Sequence, residues 1–439
     1  MNPALMEALF NIGLVRWTAS VAFFLRGAFF FAVGNCYRGM SDLCWVSRVS
    51  GVGFLKSGAD AVIKRMIERI RHDGKNILAD SYLSSKASIA CASLYSLTGL
   101  GSHDIFRDLI VLKSSSSGEK GVILLKYART FDAVIALFDL PRLLDRYVFV
   151  LEPCWAGYCD PSILMFLRPG HPVIVQCFSE EDHRFISSIG LPFIPIRLGP
   201  ADWVDADRFA NVHAGPKVYD LVMVANWAAH KRHAQLFRAL RQIADRKIRV
   251  LLIGFPWGRR TVDDIRRETD LVGNAAVEID ILERVPQQDV ARYLSQCKIF
   301  VFLSRKEGDN KALVEAMFVD LPAIVFDKTI GGARARINPS TGILASDEEL
   351  SEKILYMLDH YKGFSPRAWA LQQSGSSIST RVLNDVIRQM ASKAGEKFTV
   401  DIQEKTNSPN LAYKDSKNRD RFKQDYEFIR SCQRRPLGS

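Results

Sequence analysis

The 439-residue sequence contains no CxxC pair and no Cys/His cluster at zinc-finger spacing, which sets aside the common structural-zinc frameworks. Its eight cysteines are scattered at 36, 44, 91, 154, 159, 177, 297 and 432, some in apolar runs such as VIVQC ending at Cys177. That pattern reads as reduced core thiols of a cytosolic protein. A P-loop, a dinucleotide fingerprint and a Ser-His-Asp order are all missing, as are RNP, KH and helix-turn-helix patterns. Nucleic acid is therefore not an expected partner. No internal repeat of useful period is present. The first ten residues, MNPALMEALF, hold Glu7 and neither Lys nor Arg, unlike the basic start of a secretory signal. The longest apolar stretch, Trp17–Tyr37, carries Arg26 at its middle, and a central Arg is costly in a membrane span.

What is present is ordinary globular composition, 48% hydrophobic and 24% charged, in a chain long enough for two or three domains. Lys plus Arg number 59 against 48 Asp plus Glu, a net charge of +11, which favours an anionic partner such as an acidic membrane surface or a phosphorylated substrate. Aromatics beside Arg16, Arg26 and Arg38 suit a helix lying at an anionic membrane surface; a buried core helix is the alternative. From residue 108 onward, short apolar runs alternate with helical stretches. Expected strands are Leu109–Leu112, Gly121–Leu125, Tyr147–Leu151, Val173–Cys177 and Phe193–Ile196. After a polar stretch at Asp205–Lys217 come Asp220–Ala225, Val250–Gly254, Val277–Ile279, Ile299–Leu303 and Ala323–Phe326. Such runs between helices predict parallel sheets covered on both faces. The expected fold class is α/β, two doubly wound Rossmann-like domains facing a cleft. The expected divisions are an apolar segment 1–50, domains 51–215 and 216–363, a helical segment 364–395, and a polar tail 396–439 that is irregular or docked on the surface.

The most informative segment is IFVFLSRKEGDNKALVEAM, residues 299–317. A buried strand ends at Ser304, a polar loop follows, and a helix opens near Asn310. In parallel α/β domains ligands bind at the carboxyl ends of strands, where helix N-termini present free amides to a diphosphate. Gly308 permits close backbone approach. Glu307 in the loop and Glu315 about two turns along are suited to vicinal hydroxyl pairs, because a carboxylate accepts two hydrogen bonds at once. Taken alone, the same residues are also consistent with a charged helix start and a solvated helix face.

The chain here resembles the retaining glycosyltransferases of family 4, whose E-G-x-x-x-x-x-x-E-A-M signature stands as EGDNKALVEAM. The resemblance extends over about 218–361. It takes in DLVMVANWAAHKRHAQLFRAL, RVLLIG, RVPQQDVARYLSQCKIFVFLS and LPAIVFDKTIGGARARINPSTGILAS, in the family's order. It implies the GT-B fold, a nucleotide-sugar co-substrate (a UDP- or GDP-sugar), retention of configuration, and no cofactor or bound metal. Glu307 is implied to contact the donor sugar, with Gly308, Asp309 and Asn310 lining the sugar and distal phosphate. Glu315 is implied to hold the ribose and Lys231 the diphosphate, making Glu307 and Lys231 the expected catalytic pair. The family's usual Arg five residues before that lysine is Asn226 here; Arg232 or Arg305 is the expected substitute. Gly254, in the GFPWGRR turn after a strand, borders the same site.

The first half matches the family poorly. Its unusual segment VLEPCWAGYCDP offers Glu152, Trp155, Tyr158 and Asp160 as acceptor-side candidates, by ring stacking on a sugar and carboxylate contact with a hydroxyl. Packing of an aromatic loop explains it equally well. The triplet Asp205-Ala206-Asp207 is of a kind that arises by chance in a chain this long and is assigned no metal. A glycan or lipid-linked saccharide is the expected acceptor, and the expected location is cytoplasmic, with peripheral attachment to a membrane left open. A non-catalytic GT-B binding protein and a nucleotide-sugar epimerase are the rival readings.

Overall fold

The structure, a computed structural model, describes residues 13–49, 53–96, 103–153, 160–209, 216–243, 246–407 and 410–434. The chain forms two compact units. Unit 1 comprises residues up to 199 with 380–405 and 410–439; unit 2 comprises 200–379 with 406–409.

Unit 1 opens with helices α1 (Gly13–Ala32), α2 (Cys36–Val49), α3 (Gly53–Asp73), α4 (Ile77–Leu83) and α5 (Lys86–Leu94). The first two form a close hairpin. A Cβ on Gly39 would lie 2.8 Å from the Phe31 ring and 3.0 Å from the Gly27 carbonyl oxygen. The central Arg26 of α1 is met by Asp42 of α2, through Nε at 2.7 Å and Nη2 at 2.6 Å. A bidentate pair of this kind explains how the charge sits inside an apolar segment. In α3, buried Leu55, Ala59, Ile63, Ile67 and Ile70 recur at helical spacing. No described helix is long and apolar enough to cross a membrane.

The unit 1 sheet runs β1 (Leu109–Lys113), β2 (Gly121–Lys126), β3 (Tyr147–Glu152), β4 (Val173–Gln176), β5 (Phe193–Ile196), with helices α6 (Ala128–Leu137), α7 (Leu140–Arg146) and α8 (Glu180–Ile189) between them. Its strand order is simply sequential. β1 is antiparallel to β2 and the rest are parallel.

Unit 2 is built from β6 (Tyr219–Val224), α9 (His233–Arg241), β7 (Ile248–Gly254), α10 (Val262–Thr269), β8 (Val277–Glu283), α11 (Gln287–Ser295), β9 (Cys297–Phe302), α12 (Lys311–Phe318), β10 (Ala323–Phe326), β11 (Gly342–Ala345), α13 (Leu350–His360) and α14 (Pro366–Gln373). Its six parallel strands are ordered β8-β7-β6-β9-β10-β11. Alternate strand residues face opposite sides. Val222, Leu251 and Phe300 join one core with Leu313 and Met317 of α12. Leu221, Val250 and Ile299 join the other with Leu236 of α9 and Ile354 of α13. Both faces are covered, so this unit is doubly wound. Of the six strands in this sheet, β11 is the one not expected from sequence. It has four residues, and its Gly342 is required because a Cβ there would fall 2.0 Å from the Ala323 carbonyl oxygen.

The division near 199 and the C-terminal segments differ from the sequence expectation. Helix α15 (Ser376–Ala394) begins in unit 2 and belongs to unit 1 from Thr380. The polar tail takes the docked alternative. Helix α16 (Lys423–Ser431) buries Tyr426 and Ile429. Tyr426 Oη receives the Val111 N–H at 3.3 Å, and Tyr413 Oη donates to the Val111 carbonyl at 2.6 Å. The Gln403 N–H donates to the Leu112 carbonyl at 2.7 Å. Strand β1 is the sheet edge, and the tail satisfies backbone groups that an exposed edge would leave open.

Candidate functional site

In unit 2 the chain leaves β6 for β7 and β8 on one side, then returns to the other side of β6 as β9. The carboxyl ends of β6 and β9 therefore flank the topological switch point, where open α/β sheets form their ligand crevice. Two loops emerge there. Residues 225–232 link β6 to α9, and residues 303–310 link β9 to α12.

The 225–232 loop is shaped by its own side chains. Asn226 Oδ1 accepts the Ala228 N–H at 3.2 Å, a local turn. A short 3-10 turn, Ala229–Lys231, carries Lys231, and Arg232 takes a left-handed conformation at φ 64° before α9. The loops are stitched by the backbone: Arg305 N–H donates to the His230 carbonyl at 3.2 Å, and Ile330 N–H to the Arg305 carbonyl at 2.9 Å. Gly331, at φ 131°, admits no side chain, because a Cβ would stand 1.6 Å from the Glu307 carbonyl oxygen. Its neighbour Gly332 donates its N–H to the Gly308 carbonyl at 2.7 Å.

These constraints bring Lys231 and Glu307 together. Lys231 Nζ donates to Glu307 Oε2 at 2.6 Å, with side-chain exposures of 8% and 22%. Asn310 serves twice: its Nδ2 donates to Glu307 Oε1 at 2.8 Å, and its Oδ1 caps α12 by accepting the Leu313 N–H at 2.7 Å. Glu315 lies buried one helix segment further on, its Oε1 accepting from Gln287 Nε2 at 2.9 Å. Burial pushes its carboxyl above the usual range, against the opposing pull of Lys311 and the Gln287 hydrogen bond. His230, beside this pair, is shifted down by burial and by the Lys231 charge, against Glu307. His233 is buried against Trp227, with neither ring nitrogen hydrogen-bonded. Burial, then Arg260, Lys231 and His230, lower its imidazole to about 3.

Several expected site residues are placed otherwise. Asp309 has a fully buried side chain whose two oxygens receive the Arg336 guanidinium and the Ala201 N–H. Arg336 also donates to Asp202 at 3.0 Å. Asp309 thus anchors the loop from below, with no oxygen left for a sugar. Arg232 is paired with Asp347, donates to the Leu303 carbonyl at 3.4 Å and lies 4.1 Å over the Phe326 ring. Gly254 makes room: a Cβ would meet the Ala225 carbonyl oxygen at 2.3 Å and the Trp227 ring at 2.5 Å. Gly308 and Arg305 stand in the loop as expected. Asp347, Gln287 and Arg336 were not singled out from sequence, because only folding brings them to their partners.

In unit 1, Glu152 is fully buried in an ion pair with Lys405 at 2.5 Å, which removes it as an acceptor contact. Asp160 caps a single helical turn by accepting the Ser162 N–H at 3.0 Å. Trp155 and Tyr158 lie outside the described residues. Asp205 accepts the Asp207 N–H at 3.2 Å and pairs with Arg208 at 3.5 Å. Among the described residues no group of three or more His, Cys, Asp or Glu gathers as a metal site.

Residues 219–360 match the family profile of glycosyl transferases group 1. No curated protein matches the chain. Among solved structures, the chain is similar to sucrose-phosphate synthase from Thermosynechococcus elongatus (16% identity, 62% of this chain and 74% of that one, TM-score 0.49). It is similar also to a glycosyltransferase from Rickettsia africae (16%, 61% and 76%, 0.46). A third is HepE of Anabaena in complex with UDP-glucose (16%, 62% and 78%, 0.45).

Proposed function

We propose that this protein is a GT-B glycosyltransferase that moves a sugar from a UDP- or GDP-sugar to a saccharide or lipid-linked saccharide, with retention and without a metal. The observation that carries the reading is the Lys231–Glu307 pair at the switch point of unit 2. The EGDNKALVEAM motif within the matched span 219–360 supports it. An ammonium has three donors. One goes to Glu307, leaving others for a leaving diphosphate, whose charge grows as the anomeric C–O bond breaks. Glu307, fixed by Lys231 and Asn310, retains lone pairs for sugar hydroxyls. The acceptor oxygen bonds to the anomeric carbon while its proton passes to the departing phosphate oxygen, so no protein base is required.

Unit 1 takes the acceptor in this reading. Helix α1 and the Val33 that follows it bear an outward line of Leu14, Trp17, Leu25, Phe29 and Val33, each more than a third exposed. With Arg38 beside it, this face would rest on an anionic membrane surface, each nearby basic residue adding about 1 kcal/mol. Since Arg26 is paired with Asp42, attachment would rest mainly on the apolar line. Leu25→Ser/Phe29→Ser should release the protein from phosphatidylserine vesicles without loss of fold; unchanged retention would remove this face from the account. The transfer reading is tested by incubating the protein with a panel of UDP- and GDP-sugars and following nucleoside diphosphate release, with product anomers assigned by NMR. Release by the wild type that is lost in Glu307→Gln supports transfer. Binding without release in every acceptor mixture would leave a non-catalytic binding protein, and an epimerised donor sugar would replace transferase by epimerase.

A further inference from the structure

Four lysines are buried among the described residues: Lys113, Lys126, Lys231 and Lys405. Three face a carboxylate, namely Glu119, Glu307 and Glu152. Lys126, the last residue of β2, is 2% exposed, and its ammonium makes neither hydrogen bond nor ion pair with a described residue. Its neighbours of note are the Tyr127 ring, 4.8 Å from Nζ to centroid, and Asp108, whose carboxylate feels its charge together with those of Arg129 and Arg107. A buried cation that shares one carboxylate with two arginines is left under-compensated, which is costly, so the site calls for a further anion.

Lys126 lines a cavity of about 380 Å³, with Arg107, Asp108, Tyr127, Arg129 and Arg419 around it. That volume is in the range of small-molecule sites. Helix α6 starts at its wall, with N-cap Tyr127 at φ 72° and no side-chain cap, so the positive end of the helix dipole adds to the field. Four cations border the space against two carboxylates, Asp104 and Asp108. Both carboxylates are engaged: Asp104 accepts the Phe106 N–H at 2.9 Å, and Asp108 takes Arg129 at 3.2 Å. Arg419 lies 5.0 Å over the Tyr426 ring. The surplus of two positive charges matches a phosphate monoester dianion.

We propose that this cavity is a phosphate-binding site in unit 1, with Lys126 as its central cation and Arg107 and Arg419 at its mouth. It takes the phosphate of a small phosphorylated ligand or of a lipid headgroup. The site is independent of the donor site, and its existence does not depend on the transferase reading.

The test uses the full chain in a Lys231→Ala background, so that unit 2 does not report. Inorganic phosphate is titrated and its 31P line width followed. Broadening should saturate below about 10 mM, and Lys126→Met should weaken it at least about tenfold. Arg107→Gln/Arg419→Gln, two exposed positions, should weaken it about threefold to tenfold with an unchanged melting temperature. Vesicles containing phosphatidic acid provide the second arm. Lys126-dependent retention on them assigns a lipid phosphate; phosphate binding without retention assigns a soluble ligand. No broadening in the parent, equal broadening in a folded Lys126→Met, or, should that variant not fold, equal broadening in the double Arg variant would each overturn the proposal.

Discussion

The two units share one rhythm, apolar strand then helix, yet wind it differently. Unit 2 reverses its strand order beside β6, covers both sheet faces with helices, and gathers Lys231, Glu307 and Asn310 where the reversal opens. Unit 1 keeps its strands in sequential order, with no reversal. With right-handed crossovers, such an order sends its connections to one face. Its sheet edge is completed instead by the C-terminal segment, through Tyr413, Tyr426 and Gln403. Alternating elements therefore encode the class of a domain, while the switch point, which decides where a ligand can sit, is set by strand order.

This contrast can be broken most severely at Gly331. Gly331→Ala should destabilise unit 2 by several kcal/mol, at least about 3, since the strain adds backbone overlap to a positive φ. Gly118 of unit 1 is also at positive φ, but a Cβ there would have nothing within 4 Å. The same change at Gly118 should cost only about 1 kcal/mol. Denaturant titration of both variants checks the difference.

Next in size is the buried pair of unit 1. Lys405→Ala strands a buried Glu152 and should cost about 3–5 kcal/mol, whereas Lys405→Met with Glu152→Leu should recover most of it. Recovery would show that the pair secures the tail by compensation. For unit 2, Glu307→Gln should lower turnover about 100- to 1,000-fold with little change in melting temperature. Lys231→Arg should retain more activity than Lys231→Ala, because the proposed role is charge on a diphosphate.

A last contrast separates the units by pH. His233 of unit 2 is held down at about 3 by burial and neighbouring cations. The unfolded chain thus binds the extra proton first, and stability falls as pH drops from about 6.5 toward 3, by at most about 1.4 kcal/mol per pH unit. In unit 1, burial opposes ionisation of Glu119, but Lys113 and Thr399 outweigh it and hold the carboxyl at about 2. That stability is present above 4.5 and is lost only as pH falls from 4.5 toward 2. His233→Phe should flatten the weak-acid loss, and Glu119→Gln the loss in strong acid, as read by melting temperature against pH.

Much of this was legible in the sequence. Ten expected strands correspond to strands of the structure, their ends shifted by a few residues, because buried parallel strands are nearly continuous β-branched runs. Strand β11 was not, since four residues beginning with glycine make no run. The loop that brings Glu307 and Asn310 together was legible as a strand-loop-helix segment because that pattern is local. Asp309, Arg232 and Glu152 share one feature that was not legible: each is paired with a partner elsewhere in the chain, Arg336, Asp347 and Lys405 respectively. The sequence shows the charge and hides the counter-charge. The docking site of the polar tail was not legible, its scattered Tyr413 and Tyr426 gaining meaning only against β1.

The central claim is that unit 2 holds a nucleoside diphosphate at Lys231 and Glu307. Calorimetric titration of UDP and GDP into the wild type and Lys231→Ala tests it most directly. The account predicts that one of the two binds the wild type and binds Lys231→Ala at least about tenfold more weakly, a loss of about 1.4 kcal/mol. Equal affinity in both proteins, or no binding of either diphosphate to the wild type, would contradict it.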